Sequence, residues 1–251
     1  MEANTWSTIV VPCYNEALRL RTESFRQFVE LGYPVRFLFV NDGSTDGTLS
    51  VLETMRQGWE DGIQILDKQK NEGKGEAVRD GLLHACRAGD AAFVGFWDAD
   101  LATPLEPIPF MLERLEMDPH LEMLFGSRVR LLGRHIHRKA VRHYLGRIFA
   151  SVVSVVLRLP VYDTQCGAKL FRVTPELPQI LAEPFLSRWV FDVEILARSI
   201  ALHHGDVEYV AQSVYEFPLL RWEDVSGSKV HPGDFLKAFL DVVRIYRRYL
   251  A

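Results

Sequence analysis

Ala92-Phe93-Val94-Gly95-Phe96-Trp97-Asp98-Ala99-Asp100-Leu101 runs without a break from an apolar stretch into two carboxylates. The apolar part reads as a buried strand, and the acidic pair begins where that strand ends. Three comparable runs precede it: Ser7–Pro12 (STIVVP), Val35–Val40 (VRFLFV) and Ile63–Leu66. Helical patterns fill the intervals over Ala17–Leu31, Gly47–Gln57 and Gly75–Ala88, the second with Asp46 as a candidate N-cap. This βαβα order predicts an α/β fold, a mostly parallel central sheet with helices on both faces. Ligands of such sheets bind at the carboxyl ends of the strands. Tyr14-Asn15-Glu16, Asn41–Gly47 and Asp98–Thr103 all fall there, so they are expected to converge on one edge.

The second half is less regular. Leu121–Ser127 reads as a further strand, followed by a helix from about Arg138 to Arg158 with a basic start and an apolar second half. A final amphipathic helix spans Asp234–Tyr249, and another is expected to begin near Val190. The 251 residues, 48% hydrophobic and 25% charged, exclude a disordered, collagen-like or coiled-coil chain and fit a single domain. Three scattered cysteines (Cys13, Cys86, Cys166) argue against a disulfide framework and favour a reducing, cytoplasmic setting. The start lacks a signal-peptide pattern, and the longest apolar run, Ile148–Leu157, is too short to cross a bilayer.

The net charge of −4 is unevenly spread. Residues 1–122 hold 11 Lys and Arg against 21 Asp and Glu, whereas residues 123–162 hold eight cations and no acid. Such a segment suits an anionic partner, and a basic amphipathic helix suits a membrane surface better than nucleic acid. A solvated basic face explains the same residues, and that alternative stays open.

Asp98 and Asp100, two residues apart at a strand end, can share a hard divalent cation and leave room for phosphate oxygens; a turn that caps the following helix is the alternative. Asn41–Gly47 reads as a tight turn from which Asp42 projects toward the ligand edge. Asn71-Glu72-Gly73-Lys74-Gly75 is a flexible turn carrying one cation that can approach a nucleotide. Neither GxGxxG after the first strand nor GxxxxGK[ST] occurs, so the dinucleotide and P-loop readings lose their main support. His135 and His137 lack a third ligand at metal spacing and are expected to be solvated.

Seven motifs occur in order: VVPCYNE (Val10–Glu16), NDGSTDGT (Asn41–Thr48), NEGKGEAVRDG (Asn71–Gly81), DADLATP (Asp98–Pro104), GSR (Gly126–Arg128), DTQCGAKLF (Asp163–Phe171) and FDVE (Phe191–Glu194). The set resembles the family-2 inverting glycosyltransferases, in particular the dolichyl-phosphate (polyprenyl-phosphate) glucosyltransferase branch. The resemblance covers residues 8 to about 230, and TQCG-x-KLF is what points to the glucosyl branch. It implies a GT-A fold, with a nucleotide-sugar-binding half over about 1–103 and an acceptor half over about 104–251. By position it implies Pro12, Tyr14 and Glu16 around uridine, Asp42 on base or ribose, and Lys74 nearby. Asp98 and Asp100 would hold Mg²⁺ or Mn²⁺ on the donor diphosphate. Arg128 would bind phosphate, Gln165 and Cys166 would flank the sugar, and Ser228-Lys229 would belong to a loop closing over the pyrophosphate.

The chemistry of transfer fits these residue types. Negative charge builds on the departing diphosphate, so cations aimed there stabilise the transition state above the ground state. A phosphate acceptor is already anionic and needs little proton abstraction; Arg128, Arg138 and Arg142 could hold it. A hydroxyl acceptor needs a base, and Asp192 stands where hydroxyl-accepting relatives keep one, although it could instead cap its helix. The expected reaction is glucose transfer from UDP-glucose to a polyprenyl phosphate. The alternatives are GDP-mannose as donor, a soluble hydroxyl acceptor, or a non-catalytic lipid or nucleic-acid binder. Enzymes of this branch often carry a membrane-spanning helix; this sequence shows none, so contact with the cytoplasmic leaflet is expected through residues 134–158.

Overall fold

The computed structural model describes residues 6–137, 140–225 and 232–251, with side chains of the last two segments described from 143 and 237 onward. Strands β1 (Trp6–Cys13), β2 (Val35–Asp42), β3 (Ile63–Lys68) and β4 (Ala91–Trp97) alternate with helices α1 (Thr22–Glu30), α2 (Thr48–Arg56) and α3 (Lys74–Ala88). Then follow α4 (Pro107–Met117), β5 (Met123–Ser127), β6 (His135–His137), α5 (Ala140–Leu157), β7 (Ala168–Arg172) and the short α6 (Leu177–Ile180). The chain ends with α7 (Phe191–Leu202), α8 (Val207–Ser213), β8 (Val214–Pro218), β9 (Arg221–Glu223) and α9 (Pro232–Tyr249).

Seven strands form one sheet in the order β3-β2-β1-β4-β7-β5-β8. All pairings are parallel except those of β7, which runs antiparallel to both β4 and β5. The expected mostly parallel sheet is therefore present. Its one reversed strand, absent from the sequence reading, sits at the centre of the site. β6 and β9 pair separately as a small parallel ribbon, on which His135 and His137 are exposed as expected.

Near-continuous apolar strands are what a sheet covered on both faces requires. Ile9, Val11, Phe37 and Phe39 point to the side of α1, α2 and α4, where Phe25 sits edge-on to Phe37 and Phe39 at 5.1 and 4.9 Å. Val10, Leu38, Val40, Val94 and Phe96 point to the side of α3, α5, α7 and α9. α3 approaches the sheet closely because Gly81 lacks a side chain: a Cβ there would lie 2.5 Å from Val10 Cγ1.

The helix expected from Ala17 begins only at Thr22. The intervening amides are taken by the neighbouring loop: Glu16 N–H donates to Thr48 Oγ1 at 2.8 Å and Ala17 N–H to Asp46 at 3.2 Å. Those bonds hold the chain in a turn where the hydrophobic pattern alone favours helix.

Candidate active site

The strand-end loops meet as the sequence predicts, and each is fixed by bonds to the next. Asn15, in the left-handed region at φ 52°, accepts the Thr45 N–H and donates its own amide to Ser44 Oγ. Asp42 accepts the amides of Glu72 and Gly73 at 3.1 and 2.8 Å, with the Lys68 ammonium 3.5 Å away. Its carboxylate thereby anchors the turn that starts α3 and sets the position of Lys74. Gly43, at φ 61°, is required here because a Cβ would fall 2.5 Å from the Asn71 nitrogen.

Lys74 reaches from the first turn of α3 to Asp98, Nζ to Oδ1 2.5 Å. Asp98 follows β4, donates its own amide to the Gly167 carbonyl at 2.9 Å, and lays its carboxylate over that glycine. A Cβ at residue 167 would sit 1.9 Å from Asp98 Oδ2, so the glycine of the DTQCG turn is the cradle of the carboxylate. Asp100 accepts the Ala102 amide at 3.0 Å. Burial, and then the Asp98 charge, hold the Asp100 carboxyl above the ordinary carboxylate range. Burial works against the Lys74 ammonium, but the charges of Asp98 and Asp192 outweigh it and keep its pKa raised.

Arg128, just beyond β5, is gripped by Asp163 through Nε at 2.6 Å and Nη2 at 2.7 Å, and lies 5.2 Å from the Trp222 ring centre. Asp163 and Tyr162 in turn donate their amides to Glu216, both at 2.7 Å. The guanidinium is thus held in one orientation, which matters because a fixed planar cation recognises phosphate best. Asp192, in the first turn of α7, is paired at 2.7 Å with Lys169, which is fully buried on β7. Burial raises the Asp192 carboxyl despite the neighbouring Lys169 and Lys74 charges.

Asp42, Lys74, Asp98, Asp100, Arg128, Asp163 and Asp192 line a cavity of about 530 Å³. Of the residues expected at the site, Pro12, Tyr14, Glu16, Asp42, Lys74, Asp98, Asp100, Arg128, Gln165 and Asp192 lie on its wall. Cys166, between the wall residues Gln165 and Gly167, is buried with its thiol 3.8 Å from Thr103 Oγ1, and burial pushes that thiol up to about 11. Arg138, Lys229 and the side chain of Arg142 lie outside the described residues. The far wall is apolar, built by Gly146, Phe149 and Ala150 of α5 and Ala238 of α9.

Further residues complete the wall. Arg147 stacks on Tyr162 at 3.7 Å, and Arg19, Asp163, Arg188, Trp189 and Trp222 complete the rim. Lys169 left a legible signal: a cation inside the apolar run Ala168–Phe171 must find a buried partner. Among the described residues no three His, Cys, Asp or Glu side chains are grouped to hold a metal ion. Asp98 and Asp100 still fit a hard cation whose other ligands are phosphate oxygens and water, and the Gly167 cradle keeps the Asp98 carboxylate at the cavity wall.

The profile of glycosyl transferase family 2 matches residues 8–175. The chain belongs to this family. Dolichyl-phosphate β-glucosyltransferase of Drosophila melanogaster is 31% identical over 97% of this chain and 75% of its own length. The Dictyostelium discoideum protein of that name is 29% identical over 98% and 76%. The chain is accordingly an enzyme, a hexosyltransferase similar to the dolichyl-phosphate β-glucosyltransferases, which sets aside the non-catalytic binder. Glucosyl-3-phosphoglycerate synthase from Mycobacterium tuberculosis, solved with Mn²⁺ and UDP-glucose, superposes with a TM-score of 0.65 at 17% identity, covering 99% of this chain and 80% of that one. That likeness establishes the GT-A fold.

Proposed function

We propose that this family-2 enzyme transfers glucose from UDP-glucose to a polyprenyl phosphate of the dolichyl type, with inversion at the anomeric carbon. The observation that carries the reading is the make-up of the cavity: two carboxylates, Lys74 and Arg128 share its lining with the apolar Gly146, Phe149, Ala150 and Ala238. Asp98 and Asp100 would hold Mg²⁺ or Mn²⁺, which when bound supplies positive charge to the diphosphate. Pro12, Tyr14, Glu16 and Asp42 enclose the uridine, and Gln165 borders the sugar, with the buried Cys166 behind the wall rather than in contact with it. The donor half is thus about 1–103 and the acceptor half about 104–251.

Arg128, immobilised by Asp163, meets phosphate without reorganising, and Arg138 and Arg142 add charge for the acceptor. Lys229, outside the described residues, is assigned to the pyrophosphate. A phosphate monoester carries roughly −1.5 to −2 at pH 7 and attacks without a base, which leaves Asp192 an electrostatic role. A second reading, transfer to a hydroxyl with Asp192 as base, draws support from the presence of that carboxylate on the cavity wall.

The polyprenyl tail suits the α5–α9 wall and the surface continuing from it. Tyr144, Ile148 and Val155 on α5 and Leu240, Val243 and Tyr246 on α9 are exposed, with Arg244 beside them. No helix among the described residues is long and apolar enough to cross a membrane. Peripheral contact with the cytoplasmic leaflet is the arrangement these residues favour.

The test is transfer of labelled glucose from UDP-glucose to a polyprenyl phosphate with Mn²⁺, compared with GDP-mannose and with a polyprenol lacking phosphate. The expected product is an acid-labile β-glucosyl phosphate formed from UDP-glucose alone. Transfer to the free alcohol favours the Asp192 reading, and mannosyl transfer refutes the glucosyl one.

A further inference from the structure

The cations of the cavity are not equally committed. Arg128 is held by two bonds from Asp163, and Arg147 is stacked on Tyr162 and bonded to its carbonyl at 2.9 Å. Lys74 has one ionic partner among the described residues, Asp98, and that partner is one of the two carboxylates suited to the divalent cation. A divalent ion sits about 2.1 Å from a carboxylate oxygen. With the ammonium 2.5 Å from Oδ1, two cations on that oxygen would stand within about 5 Å of each other, inside low-dielectric walls where their repulsion is little screened. Nor is Lys74 clamped like the arginines: its side chain keeps about a third of its exposure and extends from the first turn of α3, behind Gly73 at φ 99°.

We propose that Lys74 is an exchange cation: its ammonium holds Asp98 in the metal-free enzyme and passes to the donor's diphosphate when the divalent ion takes that carboxylate. This rests on the metal-assisted donor reading above. Its consequence is a binding order that neither ligand alone would impose. Metal arriving without nucleotide must strip Lys74 from Asp98 and leave the ammonium without a contacting anion, supported only by the Asp192 and Asp100 charges around it. Nucleotide arriving without metal faces Asp98 and Asp100 with Lys74 already taken. Together the two ligands leave every charge paired, so each raises the other's affinity by the same factor.

Lys74 is then a positioning residue for Asp98 in one state and a diphosphate contact in the other. Its removal has a signature that loss of a nearby charge lacks. Deleting any cation near the carboxylates tightens metal binding equally with and without nucleotide. Deleting the exchange cation tightens it for the metal alone and shrinks the coupling.

The experiment is titration of Mn²⁺ into the full chain with and without UDP, followed by calorimetry and by the paramagnetic resonance of free Mn²⁺. The proteins are wild type, Lys74→Met, Lys74→Arg and Arg19→Met, each checked by thermal unfolding. Arg19 lines the cavity and its charge acts on Asp100, so it reports simple charge removal. A charge-assisted contact of this kind corresponds to about a tenfold change in affinity. Lys74→Met is expected to bind Mn²⁺ alone about tenfold more tightly and to lose about tenfold of the Mn²⁺–UDP coupling. Lys74→Arg retains the coupling, and Arg19→Met leaves it intact. Coupling undiminished in Lys74→Met, or Mn²⁺ bound no more tightly by it, overturns the exchange alone. Wild-type protein that binds UDP with no dependence on Mn²⁺ overturns the donor-site reading, and the exchange with it.

Discussion

Lys169→Met tests the electrostatics beneath the site. Lys169 has no exposed surface; its ammonium donates to the Cys166 carbonyl at 2.6 Å, pairs with Asp192 at 2.7 Å, and lies 5.2 and 4.8 Å from the rings of Phe96 and Phe125. Methionine fills nearly the same volume among those rings, so packing loss is small and the effect reports charge. Asp192 is then left as a buried carboxylate, which costs about 3–5 kcal/mol. For a chain of this size each kcal/mol lowers Tm by roughly 2–4 °C, so a fall of about 6–20 °C is expected at pH 7. Asp192 is already pushed toward its neutral form by burial, and without Lys169 it will protonate more readily. The deficit must therefore shrink as pH falls toward 5. Adding Asp192→Asn should recover most of the loss, because a neutral pair leaves no orphaned charge. Thermal unfolding of the four proteins of this double-mutant cycle at both pH values decides the matter. A coupling below about 1 kcal/mol, or a loss that does not vary with pH, would refute the reasoning.

Three other perturbations follow from the same geometry. Asp100→Asn removes a carboxylate whose folded pKa is raised; the folded state holds that proton more tightly than the unfolded chain, so its contribution is present below the unfolded pKa and lost as pH rises through the folded one. The variant should raise the Tm of metal-free protein at pH 7, show no gain near pH 4, and abolish Mn²⁺-dependent UDP binding in calorimetry. Gly167→Ala places a methyl group where the Asp98 carboxylate lies, an overpacking cost of about 1–3 kcal/mol, and should weaken UDP–Mn²⁺ binding at least about tenfold while far-ultraviolet dichroism is unchanged. Ile148→Glu with Val243→Glu, both on exposed positions, should abolish co-sedimentation with anionic liposomes and leave UDP binding intact; undiminished sedimentation would discard the α5–α9 surface.

The first half of the fold was readable because its rules are local. Parallel strands buried on both faces are apolar throughout, the βαβ crossover fixes their direction, and ligands follow from the carboxyl ends. Asp98 and Asp100 needed no more than that. What hid β7 is equally physical. Ala168–Arg172 is five residues long, carries two cations, and enters from an irregular turn, so neither period nor length marks it as a central strand. Its direction comes from pairing with β4 and β5, contacts that span about 45 to 80 residues of sequence and leave no local trace. The early start assigned to α1 failed for a related reason. Amide bonds to Asp46 and Thr48, some 30 residues away, outweighed a favourable helical pattern.

The same distinction runs through the site. Residues that touch a ligand announce themselves as polar groups at strand ends, whereas the residues that aim them do not. Asp42 projects from β2 to the cavity wall, and its carboxylate also takes the Glu72 and Gly73 amides and so orients Lys74, a role that the sequence does not announce. Arg128 was visible in the sequence, but the Asp163 and Glu216 that hold it were not, since their bonds depend on β5 and β8 lying side by side. The reversed strand brings these two classes together. By entering the sheet against its neighbours' direction, β7 delivers Gly167 to the carboxyl end of β4, under Asp98, and Lys169 two residues further, under Asp192. A parallel strand in that place would present its carboxyl end there instead, and neither carboxylate would have its support. The antiparallel insertion therefore converts the carboxyl edge of a parallel sheet into a site with two braced carboxylates facing a cation.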